Sequence, residues 1–565
     1  MSKKIMKRSL ALGALMAFVI TGSVFAEAVQ PGCTLNGVGS SGNENRHEFH
    51  KIYGYVTLAE DATVGNISWT GYRDNSSNYD YNTTYLNGNT LKIVSESGRA
   101  VDHGGHYDHN GGGYIICEDL PGYKFVSEAG KALGHLEIQS NAEALYGYGI
   151  IDVDTLTITS ASSNAIVSGD AKNSTSWMPF KKTEIYANSV VIEAKGANAI
   201  QAHSNMEIGK VDDKVGTLAI SGDYDRAIRV NGKADVYNGI TPVDEYLNAS
   251  ITVNVYADTL NISGAKKSIK ADDNGTLNLN ADKGTVVSDI EAGSTGTINV
   301  TFGSGVNWSG AFTTADDATG NVTLNGATWK VTGDSNITTL KGNDGKIELA
   351  AVPATYSLSS NNNGFVTLQI GDASDSSAVV TGEGLTEAVE NGELTAEEAL
   401  KKLSGSVIVE EGTATLALEE GETTGATSAT VGSNGMSSVK QEVNTKAAKA
   451  SKAATNLKAH YRAHMNDMNK RMGELRMANG EAGVWTRMVR GESEYEGAKM
   501  QYNQYQLGYD EKLSIDKRWT VGAAVAFAEG DGGYGQGSTE DKSTAFAIYG
   551  SKLNNDGTDC TLCTS

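Results

Sequence analysis

Proline is almost missing from this chain, with five in 565 residues against 66 glycines. Proline is kept out of sheet interiors and glycine serves tight bends, so the imbalance reads as many short strands. Basic residues are in deficit too. A net charge of -22 argues against a nucleic-acid partner, which needs a basic face. It suits a soluble surface protein, although acidity names no function by itself. At 20% charged and 39% hydrophobic residues the chain is too apolar to be disordered, and it is long enough for several domains. No run approaches the roughly eighteen apolar residues of a membrane helix, so none is expected.

Cysteine is scarce as well, four in all. Cys33 and Cys117 are candidates to pair after export, because disulfides persist outside the cytosol. Cys560 and Cys563 form a lone "CTLC"; without a second such pair or a βαβ setting it carries no zinc or redox reading.

What is present begins with a secretory signal peptide over residues 1–26. Lys3, Lys4, Lys7 and Arg8 make the positive region, Leu10 to Ile20 the apolar one, and Val24 and Ala26 the cleavage site. Cys33, in "VQPGC", lies too far downstream to be a lipid acceptor.

From about residue 50 to 350 one phrase recurs: "TLKIVSESGRAV" at Thr90, "TLTITSASSNAI" at Thr155, "SVVIEAKGANAI" at Ser189 and "TLAISGDYDRAI" at Thr217. In each, an Ile (Ile93, Ile158, Ile192, Ile220) stands seven residues before an Ala (Ala100, Ala165, Ala199, Ala227). Leu and Ile at i and i+2 point to one side of a strand, and the Gly, Ser, Asn and Asp cluster that follows makes a turn. No single copy buries its own apolar face, so the copies must stack. Intervals of 65, 34 and 28 residues exclude equal propeller blades and fit a β-solenoid with loops of variable length. An antiparallel sandwich is the alternative. In "GNVTLNGATWKVTGDSNITTLKGNDGKIEL" (Gly320 to Leu349), Trp329 is expected to cap the apolar stack.

Beyond Leu349 the pattern loosens. "ELTAEEALKKL" predicts a short helix, with Thr395 and Glu398 spaced as a capping box. Residues Glu419 to Gly435 read as a linker. From about Ser437 to Met477 the chain turns helical, with Leu457, Tyr461, Met465, Met468, Met472 and Leu475 on one face. A coiled-coil seam would look the same. This helix has a net charge of +6 in an acidic chain, which predicts an electronegative neighbour. Gly480 is its expected C-cap. Four alternating strands follow: "GVWTRMVRG", "KMQYNQYQLGYDE", "WTVGAAVAFAEG" and "STAFAIYGSKL". In the third, Trp519, Val521, Ala523, Val525 and Phe527 share one face, opposite Thr520, Gly522, Ala524 and Ala526. That alternation is the signature of outer-membrane barrel strands, with a half-buried soluble sheet as the alternative.

The stretch "MNDMNKRMGELRMANGEAGVWTR" closely resembles the helix-to-first-strand junction of autotransporters, the type V secreted proteins, and of their serine-protease members in particular. The upstream "NWSGAF...NGATWKVTGDSNITTLKGNDGKIEL" is similar to the last passenger rungs of that family. The resemblance implies a signal peptide, a β-solenoid passenger exported through a closed C-terminal barrel, and a helix in the barrel lumen. It also implies barrel-assembly machinery as a partner. Some members release the passenger between two adjacent asparagines in that helix, the first acting as an internal nucleophile. Asn466 matches the first position and Asp467 replaces the second, which puts self-cleavage in doubt. If Cys33 and Cys117 pair, the loop they close is too bulky to thread a helix-filled pore, so the pair is expected to form only at export or on the surface.

The expected fold is all-β: a right-handed parallel β-solenoid passenger, one linker helix, then an incomplete antiparallel transmembrane β-barrel. Its divisions are signal peptide 1–26, solenoid 27–350, passenger C-terminal region and linker 351–436, lumen helix 437–479, the first four or so barrel strands 480–555 and an aberrant tail 556–565. Four strands do not close a barrel, and an open edge is not tolerated in lipid. The expectation is a truncated product or an incomplete sequence, stalled in the periplasm if taken literally.

Catalytic candidates in the passenger are thin. "GDSN" (Gly333 to Asn336) approximates a serine-protease motif inside an ordinary rung. His103, His106, Asp108 and His109 in "DHGGHYDH" supply metal-ligand types, and "HYDH" resembles part of the metallo-β-lactamase "HxHxDH" with its first His out of step; a polar loop off a rung is the other reading. Asp223, Asp225, Arg226 and Arg229 look like a solvated turn. The reading is a surface-displayed, non-catalytic, adhesin-like monomer that needs no cofactor and binds host or neighbouring-cell surfaces, without nucleic acid. A glycan-active or metal-dependent enzyme is the alternative.

Overall fold

A strand that alternates apolar and polar residues buries one face only when another strand lies beside it, and here the neighbour is the next copy of the same phrase. The computed structural model describes residues 34–35, 55–58, 60–65, 67–68, 83–102, 122–169, 182–223, 225–232, 250–264, 266–352, 364–422, 424–451, 454, 470–471, 474–475, 483–495, 498–533, 538–554 and 559–564. They fall into two compact units, the second made of residues 386–393, 419–427 and 441–565. The signal peptide, Cys33, Cys117 and Gly480 lie outside the described residues.

The first unit is a stack of parallel rungs in register. Ile93 pairs with Ile138, which pairs with Ile158, and the column continues through Ile192, Ile220 and Ile262. It runs on through Val286, Trp308, Trp329, Ile347, Val380 and Leu416. All of these side chains are buried. Each removes an Ile-sized side chain from water, worth roughly 1.5–3 kcal/mol per rung. The longest strands, such as Lys182–Ala194, Ile251–Ser263, Gly275–Val287 and Thr297–Ser309, turn a corner and serve two ladders. A separate nine-stranded sheet carries the start of the next phrase, with Leu145, Ile166, Ile200 and Ile228 stacked. The buried Ala before each of them leaves room for the turn between ladders.

Three expectations give way here. Trp329 is not a cap but lies mid-column. Its indole stacks on Trp308 with centroids 4.3 Å apart and planes 5° apart, and Nε1 donates to the Gly310 carbonyl at 2.9 Å. Two aromatic rings satisfied this way continue a stack as well as isoleucine does. The ladders also do not stop at Leu349. Leu368–Asp372 and Val379–Gly382 pair with the rungs before them, and Val407–Glu411 and Thr413–Leu418 follow. Insertions between rungs hide the period in the sequence while leaving the stack intact. The expected linker contains a hairpin, Thr427–Gly432 against Gly435–Met436. The helix Ala396–Ser404 forms as predicted, with both halves of the capping box made by Thr395 and Glu398. A further short helix, Leu385–Glu390, precedes it.

In the second unit five antiparallel strands form one sheet in sequence order: β1 (Gly483–Tyr495), β2 (Ala498–Lys512), β3 (Trp519–Gly533), β4 (Ser538–Leu553) and β5 (Asp559–Thr564). The segment read as an aberrant tail therefore contains β5, whose Cys560 and Cys563 pair with Lys552 and Tyr549. Backbone groups of an edge accept any β-capable neighbour whatever its side chains. Of the helix that precedes the sheet, residues 445–451, 454, 470–471 and 474–475 are described. Asn444 caps its start by accepting from the Ala447 N–H at 2.5 Å, and the Glu420 carboxylate takes the Thr445 and Lys446 N–H groups. A carboxylate on free N–H groups is the favourable end of the helix dipole.

Candidate functional site

The C-terminal sheet has two unlike faces. Along one, Val484 and Met488 of β1, Leu507 and Tyr509 of β2, Val525 and Phe527 of β3, and Phe546 and Ile548 of β4 are exposed. Register aligns them into a band: Met488 opposes Tyr505, Leu507 opposes Val525, and Val525 opposes Phe546. An exposed apolar band of this kind on adjacent strands faces lipid rather than water.

The other face is small and polar, and the helix packs on it. Ala524, Ala547 and Tyr549 are buried against Leu475 of the helix, with Trp485 beside them. Two glycines make this possible. A Cβ on Gly508 would overlap the Trp485 indole, and one on Gly522 would overlap the Tyr549 ring and Asp510. Both aromatic rings lie flat across a neighbouring strand because that strand has no side chain there.

At the centre is Asp510, fully buried on β2. It accepts from the Tyr549 hydroxyl, from Arg471 Nη2 of the helix and from Trp485 Nε1, the last at 3.2 Å. Trp485 Nε1 also donates to the Tyr549 oxygen at 2.8 Å. The Arg471 guanidinium lies over the indole at 4.8 Å, a cation–π contact on top of the ion pair. A second pair has the opposite sense: Glu474 of the helix meets Arg487 of β1. Helix cation on strand anion and helix anion on strand cation together fix one register of the helix on the sheet. Gln504 and Gln506 are buried on the same face, and among the described residues the Gln506 amide has no hydrogen-bond partner.

For Arg471 this network supplies an anionic neighbour of the kind the basic helix predicts, and Leu475 lies on the apolar face assigned to it. Sequence reasoning did not single out Asp510, Tyr549 or Trp485. The inward alternation of a charged residue, Asp510, between exposed Tyr509 and Glu511 was the available signal. Asn466 and Asp467 lie outside the described residues, as do His103, His106, Asp108 and His109.

The remaining candidates fall on the solenoid and are engaged. Ser335 donates to the Gly333 carbonyl at 2.9 Å and accepts from the Phe312 N–H at 3.0 Å, so the "GDSN" serine is a rung staple. Asp225 pairs with Lys267 at 2.9 Å, Arg226 donates to the Ser268 carbonyl at 2.7 Å, and Arg229 approaches Asp272 at 3.9 Å. Lys270 bridges Asp272 and Glu291; although burial opposes its charge, those carboxylates hold its pKa above the usual lysine value. Glu291 is held below the ordinary carboxylate range, burial being outweighed by Lys270 and Ser268.

Comparison with known proteins bears on the sheet. Residues 482–560 match the family described as Autotransporter beta-domain. The chain is 33% identical over 114 residues to the serine protease SepA autotransporter of Shigella flexneri, covering 19% of this chain and 8% of that protein. It is 34% identical over 112 residues to the serine protease pet autotransporter of Escherichia coli O44:H18, covering 19% and 9%. Serine protease EspP of Escherichia coli O157:H7 is 32% identical over 110 residues, 19% and 8%. The chain thus spans less than a tenth of the length of these curated relatives. The family match spans β1 to β4 and ends at the start of β5, so these strands are autotransporter β-domain sequence, a secretion-type element of the outer membrane.

Proposed function

Taking the C-terminal sheet as part of an autotransporter β-domain, we propose that this domain, once closed into a full barrel, exports the β-solenoid and displays it on the cell surface, the passenger acting as a non-catalytic, adhesin-like module. The observation that carries this reading is the two-faced sheet with its helix. An apolar band faces outward, while the inner face holds Arg471 of the chain leading in from the solenoid against buried Asp510. A segment clamped there is where a chain passing through the pore has to be held. Barrel-assembly machinery is the expected partner at the membrane, and the displayed chain is expected to act as a monomer. The passenger's function rests on its form: long parallel ladders offer extended flat faces suited to binding surfaces. Self-cleavage at Asn466 and Asp467 is not part of the proposal.

The test is protease shaving of intact cells that produce the full chain. Loss of the solenoid from whole cells, with the C-terminal sheet retained in the outer-membrane fraction, is the expected result. A passenger that stays protected until the outer membrane is permeabilised would refute display. Adhesion of producing cells to host-cell or bacterial monolayers, compared with cells lacking the protein, tests the adhesin reading separately.

A further inference from the structure

One face of the solenoid is uncharged over four successive rungs. Its outward columns are Thr252, Thr276, Thr297 and Thr319; Asn254, Asn278, Asn299 and Asn321; and Tyr256, Asn280, Thr301 and Thr323. None of the twelve is ionisable near neutral pH, in a chain where one residue in five is charged. The neighbouring face of the same rungs carries Asp258, Lys283 and Lys330, with Glu348 on the rung that follows. The neutral array is bounded at one end by Lys182, which bridges Glu184 at 3.1 Å and Glu207 at 2.9 Å and leaves one negative charge over, and at the other by Lys341 and Asp372.

The asparagines form a ladder. Asn278 donates to Asn254 at 2.7 Å, Asn299 to Asn278 at 2.7 Å and Asn321 to Asn299 at 2.8 Å, and Thr339 closes the row on Asn321 at 2.7 Å. Asn278, Asn299 and Asn321 each use one N–H and one lone pair within the row, and Asn254 at its end only accepts, which leaves further donor and acceptor sites on every amide. The ladder also fixes every amide's orientation in advance, so a ligand meets an ordered lattice rather than free rotors. Rungs about 4.8 Å apart and alternate residues about 6.7 Å apart give an array roughly 14 Å by 13 Å.

We infer that this Thr/Asn face binds a neutral, hydroxyl-rich glycan chain. A sugar hydroxyl both donates and accepts, as does each group of the array, and an uncharged ligand on an uncharged face avoids the desolvation of a charge. Among the described residues the lysines that border the array, Lys182 and Lys341, are already paired with carboxylates, which disfavours an anionic glycan. A second copy of the chain is disfavoured by area: the array offers roughly 200 Å² against the roughly 800 Å² per partner of a stable interface. Single contacts are weak, and repetition of glycan on a cell surface supplies avidity. This inference rests on the surface-display reading and names the ligand class for it.

The test is affinity electrophoresis of the full chain in detergent through gels containing dextran, mannan or galactan, with heparin as the anionic comparator. The expected result is retardation by at least one neutral polysaccharide and roughly a tenfold loss of affinity in Thr276→Lys/Thr297→Lys, from one or two lost hydrogen bonds. Neither hydroxyl bonds a described residue, so the melting temperature should hold; if it falls, Thr301→Lys at the edge of the array gives the same reading. Retardation by heparin alone, binding kept in a folded variant, or a concentration-dependent dimer that the variant abolishes overturns the inference. Shaving of intact cells separates the two claims. Exposure without polysaccharide binding removes the glycan face and leaves display standing; binding by purified protein that is never exposed does the reverse.

Discussion

Replacing Asp510 by alanine removes the acceptor shared by Arg471, Tyr549 and Trp485. The carboxylate is fully buried and the Arg471 side chain is 15% exposed, so the cation left behind has little water to turn to. Breaking a buried pair from one side costs about 3–5 kcal/mol, and the residual exposure of Arg471 puts the expectation at the lower end, about 3 kcal/mol. At about 1.4 kcal/mol per decade, local opening of the helix from the sheet should become roughly a hundredfold more frequent. Hydrogen–deuterium exchange of the amides around 470–475, followed by mass spectrometry on the full chain in detergent, measures this directly. The Trp485-to-Tyr549 hydrogen bond survives in the variant, so replacing both charges, as in Arg471→Met/Asp510→Leu, should recover most of the protection. The second clamp provides the control. Glu474 is half exposed, and Arg487→Ala should cost about 1 kcal/mol or less. Unchanged exchange in Asp510→Ala, or a larger effect from Arg487→Ala, would refute the assignment of Asp510 as the anchor.

Other perturbations test the solenoid. Trp329→Ala deletes half of the stacked pair and leaves the Gly310 carbonyl without its donor; a loss of about 3–5 kcal/mol is expected in thermal unfolding, with loss of the indole–indole signal in near-ultraviolet circular dichroism. Asn299→Ala removes the middle member of the amide ladder and two hydrogen bonds. About 1–3 kcal/mol should be lost in denaturant unfolding, and a neutral outcome would show that the ladder adds no stability. Glu398 is held below the ordinary carboxylate value by the Thr395 N–H and then by the Thr395 hydroxyl. Its contribution is therefore present above the unfolded value of about 4.3 and lost as pH falls through the lower folded one. A carboxyl titration by NMR that shows no depression, or one unchanged in Thr395→Ala, contradicts this.

Much of the fold was legible because it depends on short-range alternation. The Ile column at 93, 158, 192 and 220 is present in the sequence as a repeated phrase, and those residues stack in register. The capping box at Thr395 is local and forms as read. The misplaced features all depend on partners distant in sequence. Trp329 looks terminal until Trp308 is laid over it, 21 residues away. Rungs after Leu349 are obscured by the insertions between them, and β5 has no pattern of its own and takes its conformation from β4.

The sequence by itself determined that this chain is a stack of strands followed by a basic helix and barrel-like alternation, because strand period, helix period and capping are written within a few residues. The tertiary structure alone decided which side chains meet. It put Asp510 beneath Arg471, some forty residues earlier, and opened room for the rings of Trp485 and Tyr549 over Gly508 and Gly522. It also brought four asparagines from four rungs into one ladder. Such contacts are set by register between strands, and register is a property of the assembled sheet rather than of any one segment.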